Sequence, residues 1–285
     1  MTPAKTVAAL HDLSGVGRCA LTVVIPVISA MGVQVCPAPT AVLSNHTAFP
    51  DFTGADLTDF LESCLDKWCE MGLNFDSIYS GYLATVRQEE ITRKFMDRQP
   101  KALKIVDPVM GDDGRMYRAL PKNMPEAMRR LCKGADVITP NLTEAALLTG
   151  TEYPGLIGDD LPGTNPPPAD CSMKQVTRLL EMLLELQPKT ALLTGVPMDG
   201  AHVNAWMTQD GKIHTCAYQP VNASFPGTGD LFSSVLTGAL TRGDSFEQAV
   251  NLSTNYVRET MLTTMECGTV PVFGVQLEKT LQKLV

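Results

Sequence analysis

The chain has 285 residues, 44% hydrophobic and 19% charged, which supplies a packed core and excludes a disordered chain. Its 23 basic and 31 acidic residues leave a net charge of −8, against a nucleic-acid or anionic-membrane partner. Any phosphate must then be held by backbone donors, a metal ion and a few local cations.

The first strand is expected at 6–11 (TVAALH), running straight into HDLSG with no signal peptide before it. Residues 19–50 contain no Asp, Glu, Lys or Arg, yet Pro26, Gly32, Gln34 and the CPAPT at 36–40 interrupt any membrane helix. A buried helix near 20–31 followed by a buried strand at 33–38 is expected instead. Further on, helices are expected at 56–71, 87–98, 122–133, 142–149 and 173–187, and strands at 76–82, 103–109, 135–139, 190–194, 203–208 and 213–218. The chain then turns helical, at 229–242, 245–264 and a short piece from 275. Segment 154–170, PGLIGDDLPGTNPPPAD, is too rich in Pro and Gly for a core element and reads as a surface loop. No internal repeat is present. Short apolar strands alternating with helices predict an α/β fold with a mostly parallel sheet, and 1–285 reads as one domain. The cysteines at 19, 36, 64, 69, 132, 171, 216 and 267 form no C-x-x-C and have no histidine at zinc spacing. Buried reduced thiols in a cytoplasmic protein are expected.

Ligands of such sheets lie beyond the carboxyl ends of the strands. Polar clusters are expected there at 11–18 (HDLSGVGR), 44–47 (SNHT), 80–82 (SGY), 107–114 (DPVMGDDG), 139–144 (TPNLTE), 194–195 (TG) and 226–230 (PGTGD). Seven such clusters describe a site for a substrate with several parts.

In GTGD, Gly227 and Gly229 flank Thr228 directly before Asp230 and an apolar helix. Asp230 is either a helix cap or a general base beside an anion cradle made of free backbone N–H groups. Asp107 and Asp112 are either Mg²⁺ ligands, direct or through water, or parts of a turn punctuated by Pro108 and Gly111. Thr139, Asn141 and Glu144 start the next helix, where Asn141 and Glu144 also have the spacing of a capping pair. Asp12 or Ser14 can hydrogen-bond a small polar molecule. His46 is a structural hydrogen-bonder or a catalyst, and Tyr82 either lies flat on an aromatic ring or packs in the core. No Walker A motif, dinucleotide fingerprint or hydrolase signature occurs.

Over nearly its whole length, from HDLSGVGRCALTVVIPVISAMGV through SNHT, SGYL, DPVMGDDG and TPNLTEAALLTG to GTGDLF, the chain resembles the ribokinase superfamily. SNHT with GY makes it similar to the pyridoxal kinases within that superfamily. The resemblance implies a three-layer α/β/α sandwich and ATP-dependent phosphorylation of the 5′-hydroxymethyl group of pyridoxal, pyridoxamine or pyridoxine. It implies that Asp230 is the base and that Gly227, Thr228 and Gly229 form an anion hole. Thr47 and Tyr82 would contact the pyridine ring, with Asp12 and Ser14 nearby. Asp107, Thr139, Asn141 and Glu144 would surround ATP phosphates, Mg²⁺ and a monovalent cation such as K⁺, Asp107, Thr139 and Glu144 being the metal residues. Thr194 and Gly195 would lie by the nucleotide, with the loop after Asp112 over its phosphates. A homodimer is also implied. Two features depart from the pattern: Asp12 stands where pyridoxal kinases often have Ser, and loop 154–170 has no counterpart. HDLSGVG also resembles the D-x-S-G-G-A-G of hydroxymethylpyrimidine kinases of thiamine biosynthesis, the alternative reading. A catalytically silent binding protein on the same fold would not need the intact GTGD.

Overall fold

The computed structural model describes residues 3–151 and 170–285, so 154–169 of the Pro-rich loop lie outside the described residues. In chain order the elements are β1 (Thr6–Val16), α1 (Leu21–Ala30), β2 (Gln34–Asn45), β3 (Gly54–Asp56), α2 (Thr58–Glu70), β4 (Ser77–Ser80), α3 (Val86–Asp97) and β5 (Leu103–Val106). Then come β6 (Gly111–Asp112), β7 (Arg115–Met116), α4 (Met124–Cys132), β8 (Val137–Ile138), α5 (Leu142–Thr149), α6 (Met173–Leu184), β9 (Thr190–Met198), β10 (Ala201–Thr208) and β11 (Ile213–Tyr218). The helices α7 (Thr228–Arg242) and α8 (Phe246–Glu266) follow, and three short 3₁₀ turns end the chain. No helix among the described residues is long and apolar enough to cross a membrane; the uncharged run at 19–50 is α1 and β2.

The chain divides into two compact units, one of residues up to Ile105 with Pro220–Val285, the other Val106–Gln219. In the first, the strand order is β5-β4-β1-β2-β3. β1 runs parallel to both β2 and β4, and β3 returns antiparallel along β2. Its helices form two groups, α1 with α7 and α8, and α2 with α3. In the second, the order is β8-β9-β10-β11, parallel at β8/β9 and antiparallel in the two hairpins after it. The α5 helix packs on α4, α6 and β9.

Most predicted elements lie within a few residues of their expected bounds, but three strands are longer. β1 continues through HDLSGV, pairing Leu13 with Val42 and Ser14 with Leu43 after a register shift between His11 and Leu13. Such an irregularity re-aims the side chain within it, here Asp12. Those residues therefore belong to the strand and do not follow its end. β2 continues to Asn45 through Pro37 and Pro39. Prolines two apart share one side of a strand, and β3 pairs only with Ala41–Leu43, so a side without ladder partners is available to them. β9 reaches Met198, where Asp199 and Gly200, both at positive φ, make a two-residue hairpin turn into β10. The small hairpin β6/β7 was not expected either; it turns on Asp113 (φ 49°) and Gly114 (φ 72°).

The first unit's core centres on Val7, Ala8, Ala9 and Leu10, all fully buried. A buried hydrogen bond of 2.7 Å between the Ser77 and Thr241 hydroxyls ties β4 to α7. His11, also fully buried, meets the Tyr79 ring edge-on at 4.2 Å. Burial pushes its imidazole down to about 3, so it is neutral at physiological pH. A β-carbon on Gly81 would stand 2.2 Å from this ring. Gly81→Ala is thus expected to cost about 1–3 kcal/mol by overpacking, read as a lowered urea midpoint. An unchanged midpoint would show that the end of β4 yields freely.

Candidate active site

Gly227 caps α7 in the left-handed conformation (φ 82°), and no side chain bonds the helix's first N–H groups. A β-carbon there would come within 2.0 Å of the Arg18 carbonyl oxygen, so only glycine lets these two backbones approach. At Gly229 a β-carbon would meet nothing within 4 Å. The helix thus starts with open backbone donors, the arrangement that receives anions. The Thr228 hydroxyl donates to the Phe225 carbonyl at 3.2 Å.

Asp230 is not a cap. Its Oδ2 accepts the Ala20 N–H at 2.8 Å, from the loop between β1 and α1. Ala20 holds φ 51° and ψ −133°, a region non-glycine residues rarely occupy, and so aims its N–H at the carboxylate. Burial pushes the Asp230 carboxyl up to about 7; the Ala20 hydrogen bond opposes this and the charge of Asp12 adds to it. Asp12, 6% exposed, accepts the Ser14 hydroxyl at 2.9 Å and is itself raised by burial. Its field and that of Asp56 also reach Tyr82, whose phenol is pushed up to about 12, mainly by burial. Tyr82 is half-buried, so its ring is not core packing alone.

Thr47 is exposed, and the neighbouring His46 is buried. Both His46 ring nitrogens are used: Nδ1 accepts the Ala48 N–H at 3.3 Å, and Nε2 then donates to the Val272 carbonyl at 2.7 Å. Of the two expected roles, His46 has the structural one.

The second unit holds the other predicted group. Asn141 and Glu144 form a complete capping box on α5. Glu144 has further work: Oε2 accepts the Asn141 N–H at 3.0 Å and Oε1 the Met110 N–H at 3.1 Å. The Asn141 side-chain amide donates to the Gly111 carbonyl at 2.9 Å. Glu144, Asp107 and Thr139 are all buried. Burial and then the charge of Asp107 push the Glu144 carboxyl well above the usual carboxylate range. An isolated bridge pairs Asn141 with Thr194, and the Gly195 N–H donates to the Asn204 side chain at 2.9 Å. Asp112 is exposed on the β6/β7 hairpin, whose Gly114 N–H is held by the Thr143 hydroxyl at 2.8 Å. No group of three His, Cys, Asp or Glu that could hold a metal ion occurs among the described residues; the charge of Asp112 also reaches Glu144.

The structure therefore gathers Asp230, Gly227, Thr228, Gly229, Asp12 and Ser14 in one unit, with Tyr82 and Thr47, and Asp107, Asp112, Thr139, Asn141, Glu144, Thr194 and Gly195 in the other. Sequence reasoning missed the Ala20 N–H, a backbone donor in an alanine that carries no signal of its conformation. It also missed Thr143 as the anchor of the β6/β7 hairpin.

An acid that is harder to ionise when folded than when unfolded destabilises the fold as pH rises between the two values. Asp230 moves from 3.8 to about 7, so its contribution falls across pH 4–7. Asp230→Asn is expected to flatten this slope and stabilise the protein at pH 8 by up to about 4 kcal/mol. Urea denaturation at pH 5 and pH 8 checks it; the same pH dependence in both proteins would place the carboxylate in a water-like setting.

The phosphomethylpyrimidine kinase family model matches residues 25–273. A pyridoxine/pyridoxal/pyridoxamine kinase of Bordetella avium is 30% identical over 257 residues, 87% of this chain and 81% of its own. A Bacteroides thetaiotaomicron protein provisionally named a phosphomethylpyrimidine kinase, solved in a crystal form with pyridoxal, is 39% identical with a TM-score of 0.84, covering 99% of this chain and 96% of its own. Pyridoxal kinase of Lactobacillus plantarum is 29% identical, with a TM-score of 0.87 and coverage of 99% and 97%. The chain belongs to the phosphomethylpyrimidine kinase family and, within it, is a relative of the pyridoxal kinases.

Proposed function

We propose that the protein transfers the terminal phosphoryl group of ATP to the 5′-hydroxymethyl group of pyridoxal, pyridoxamine or pyridoxine, giving pyridoxal 5′-phosphate from pyridoxal. The observation that carries this reading is the Asp230 carboxylate, fixed by the Ala20 N–H at 2.8 Å in the first turn of a helix with open N-terminal donors. Phosphoryl transfer asks little of a protein beyond this pairing. A carboxylate takes the proton of the attacking alcohol, and backbone N–H groups stabilise the charge on the migrating phosphoryl. Gly227, Thr228 and Gly229 supply the second part. A base with a pKa near 7 is matched to neutral pH. Tyr82 and Thr47 take the ring, and Asp12 and Ser14 offer it polar partners.

Asp107, Thr139, Asn141, Glu144, Thr194, Gly195, Asp112 and its hairpin take the nucleotide. The buried Asp107 and Glu144 carboxylates repel each other, and the donors around them are oxygens, which fits a hard cation that keeps several waters. Asp107, Thr139 and Glu144 would hold Mg²⁺, directly or through water, with a monovalent cation such as K⁺ beside the phosphates. Bound there, Mg²⁺ supplies charge neutralisation. The exposed Leu13 and Val42, paired across β1 and β2, support a homodimer. The pyridoxal-bound Bacteroides protein favours a pyridine over a hydroxymethylpyrimidine substrate, and Asp12 is the feature on the other side.

A coupled kinase assay over a panel of pyridines and pyrimidines tests this. Phosphorylation of B6 vitamers is expected, with kcat/KM rising through pH about 7 as Asp230 ionises. Asp230→Ala should cost about 10²–10⁴-fold. Retention of activity within about tenfold would remove Asp230 as the base. Tyr82→Ala should raise the KM for pyridoxal well above any change in that for ATP. Equal effects on both would take Tyr82 out of the ring site.

A further inference from the structure

We propose that the C-terminal segment 270–278 is a positioning strap, pinned by Arg18, that sets where the Ala20 N–H and hence the Asp230 carboxylate stand. This rests on the kinase reading above for its catalytic meaning, but not for its geometry. Arg18 lies two residues before Ala20 in the loop joining β1 to α1. Its guanidinium reaches the segment at three points: Nε to the Glu278 carboxylate at 2.9 Å, Nη1 to the Phe273 carbonyl at 3.1 Å and Nη2 to the Gln276 side chain at 3.3 Å. Its backbone is enclosed as well. A β-carbon on Gly227 would lie 2.0 Å from the Arg18 carbonyl oxygen, and one on Gly274 would lie 3.0 Å from the same atom. One peptide is thus packed between the anion loop and the strap.

The strap is itself fixed. The Gln276 N–H donates to the Thr264 hydroxyl of α8 at 2.8 Å, and Val275 and Leu277 are buried. It also holds a second site loop, because Val272 accepts the His46 ring at 2.7 Å and the Phe273 ring meets Phe49 at 5.6 Å. A plain surface ion pair would have one contact and contribute little. Here one arginine makes a fork whose branches end on a carbonyl, an amide and a carboxylate. Behind it is Ala20, in a backbone conformation that persists only when its surroundings over-determine it. Arg18 therefore acts through Ala20, as a positioning residue.

The test reads the Asp230 carboxyl directly, by carbon-13 titration of aspartate side chains in the full-length protein without substrate, with the signal assigned by Asp230→Asn. The charged and titratable groups around that carboxyl are Asp12 and Cys19, with Arg18 farther along the loop and Glu278 facing Arg18 from the C-terminal segment. Glu278→Ala separates position from charge. Removing an anion alone would lower the Asp230 titration point; loosening the strap weakens the Ala20 hydrogen bond and raises it. Arg18→Lys keeps the charge and loses the fork. Both variants are expected to raise the titration point by half a unit or more, to move the acid limb of kcat/KM the same way, and to lower activity at pH 7 about tenfold. An unmoved or lowered titration point in Glu278→Ala, or an unmoved one in Arg18→Lys, overturns the strap. If the wild type phosphorylates no vitamer, the kinase reading fails while the titration still decides the strap.

Discussion

The hydrogen bond from the Ala20 N–H to Asp230 is the constraint on which the candidate active site depends. A carboxylate in the first turn of a helix would ordinarily turn to its own helix's N–H groups, because those are unsatisfied and carry partial positive charge. Here it is drawn instead to a donor from a different loop, and the helix's own donors stay open. The cost is an alanine at positive φ, on the order of 1–3 kcal/mol, and a partly buried acid that ionises reluctantly. Both costs have the same origin: a carboxylate held where its proton affinity is high, without occupying the open donors of its own helix.

The second unit solves a related electrostatic problem in another way. Glu144 and Asp107 are buried near each other, and burial followed by the charge of Asp107 makes Glu144 hard to ionise. The capping box and the Met110 N–H compensate Glu144 in part, giving each of its oxygens one backbone donor. A residue that looks like an ordinary helix cap in sequence therefore has a second duty, and the two readings of TPNLTE are compatible.

The fold class was legible because strand and helix periodicities are written in the side chains, and α5 and the GTGD helix had their starts marked by glycine or asparagine. The strand ends were less legible. Proline and glycine usually stop strands, and nothing local in CPAPT or HDLSG tells that β3 leaves part of one side of β2 without ladder partners or that β1 absorbs a register shift. At the site, Asp230, Asp107 and Glu144 could be named because each lies in a polar cluster beyond a predicted strand end, although an ordinary cap or turn reading stood beside each. Ala20 did not: its contribution is a backbone angle, and a residue's φ is set by everything packed round it. Arg18 was hidden for a similar reason, its partners being some 260 positions away in sequence.

Cys19 adds a chemical corollary. Its sulfur lies 3.1 Å from where a β-carbon on Gly227 would be, and burial together with the charges of Asp230 and Asp12 drives its thiol far up. Sulfur reacts with aldehydes, electrophiles and oxidants as the thiolate. Burial first, and the two acids beside it second, keep that form scarce at neutral pH, so the enclosure that raises the Asp230 carboxyl also passivates its neighbour. An aldehyde brought beside Asp230 would therefore meet a thiol too protonated to trap it as a hemithioacetal.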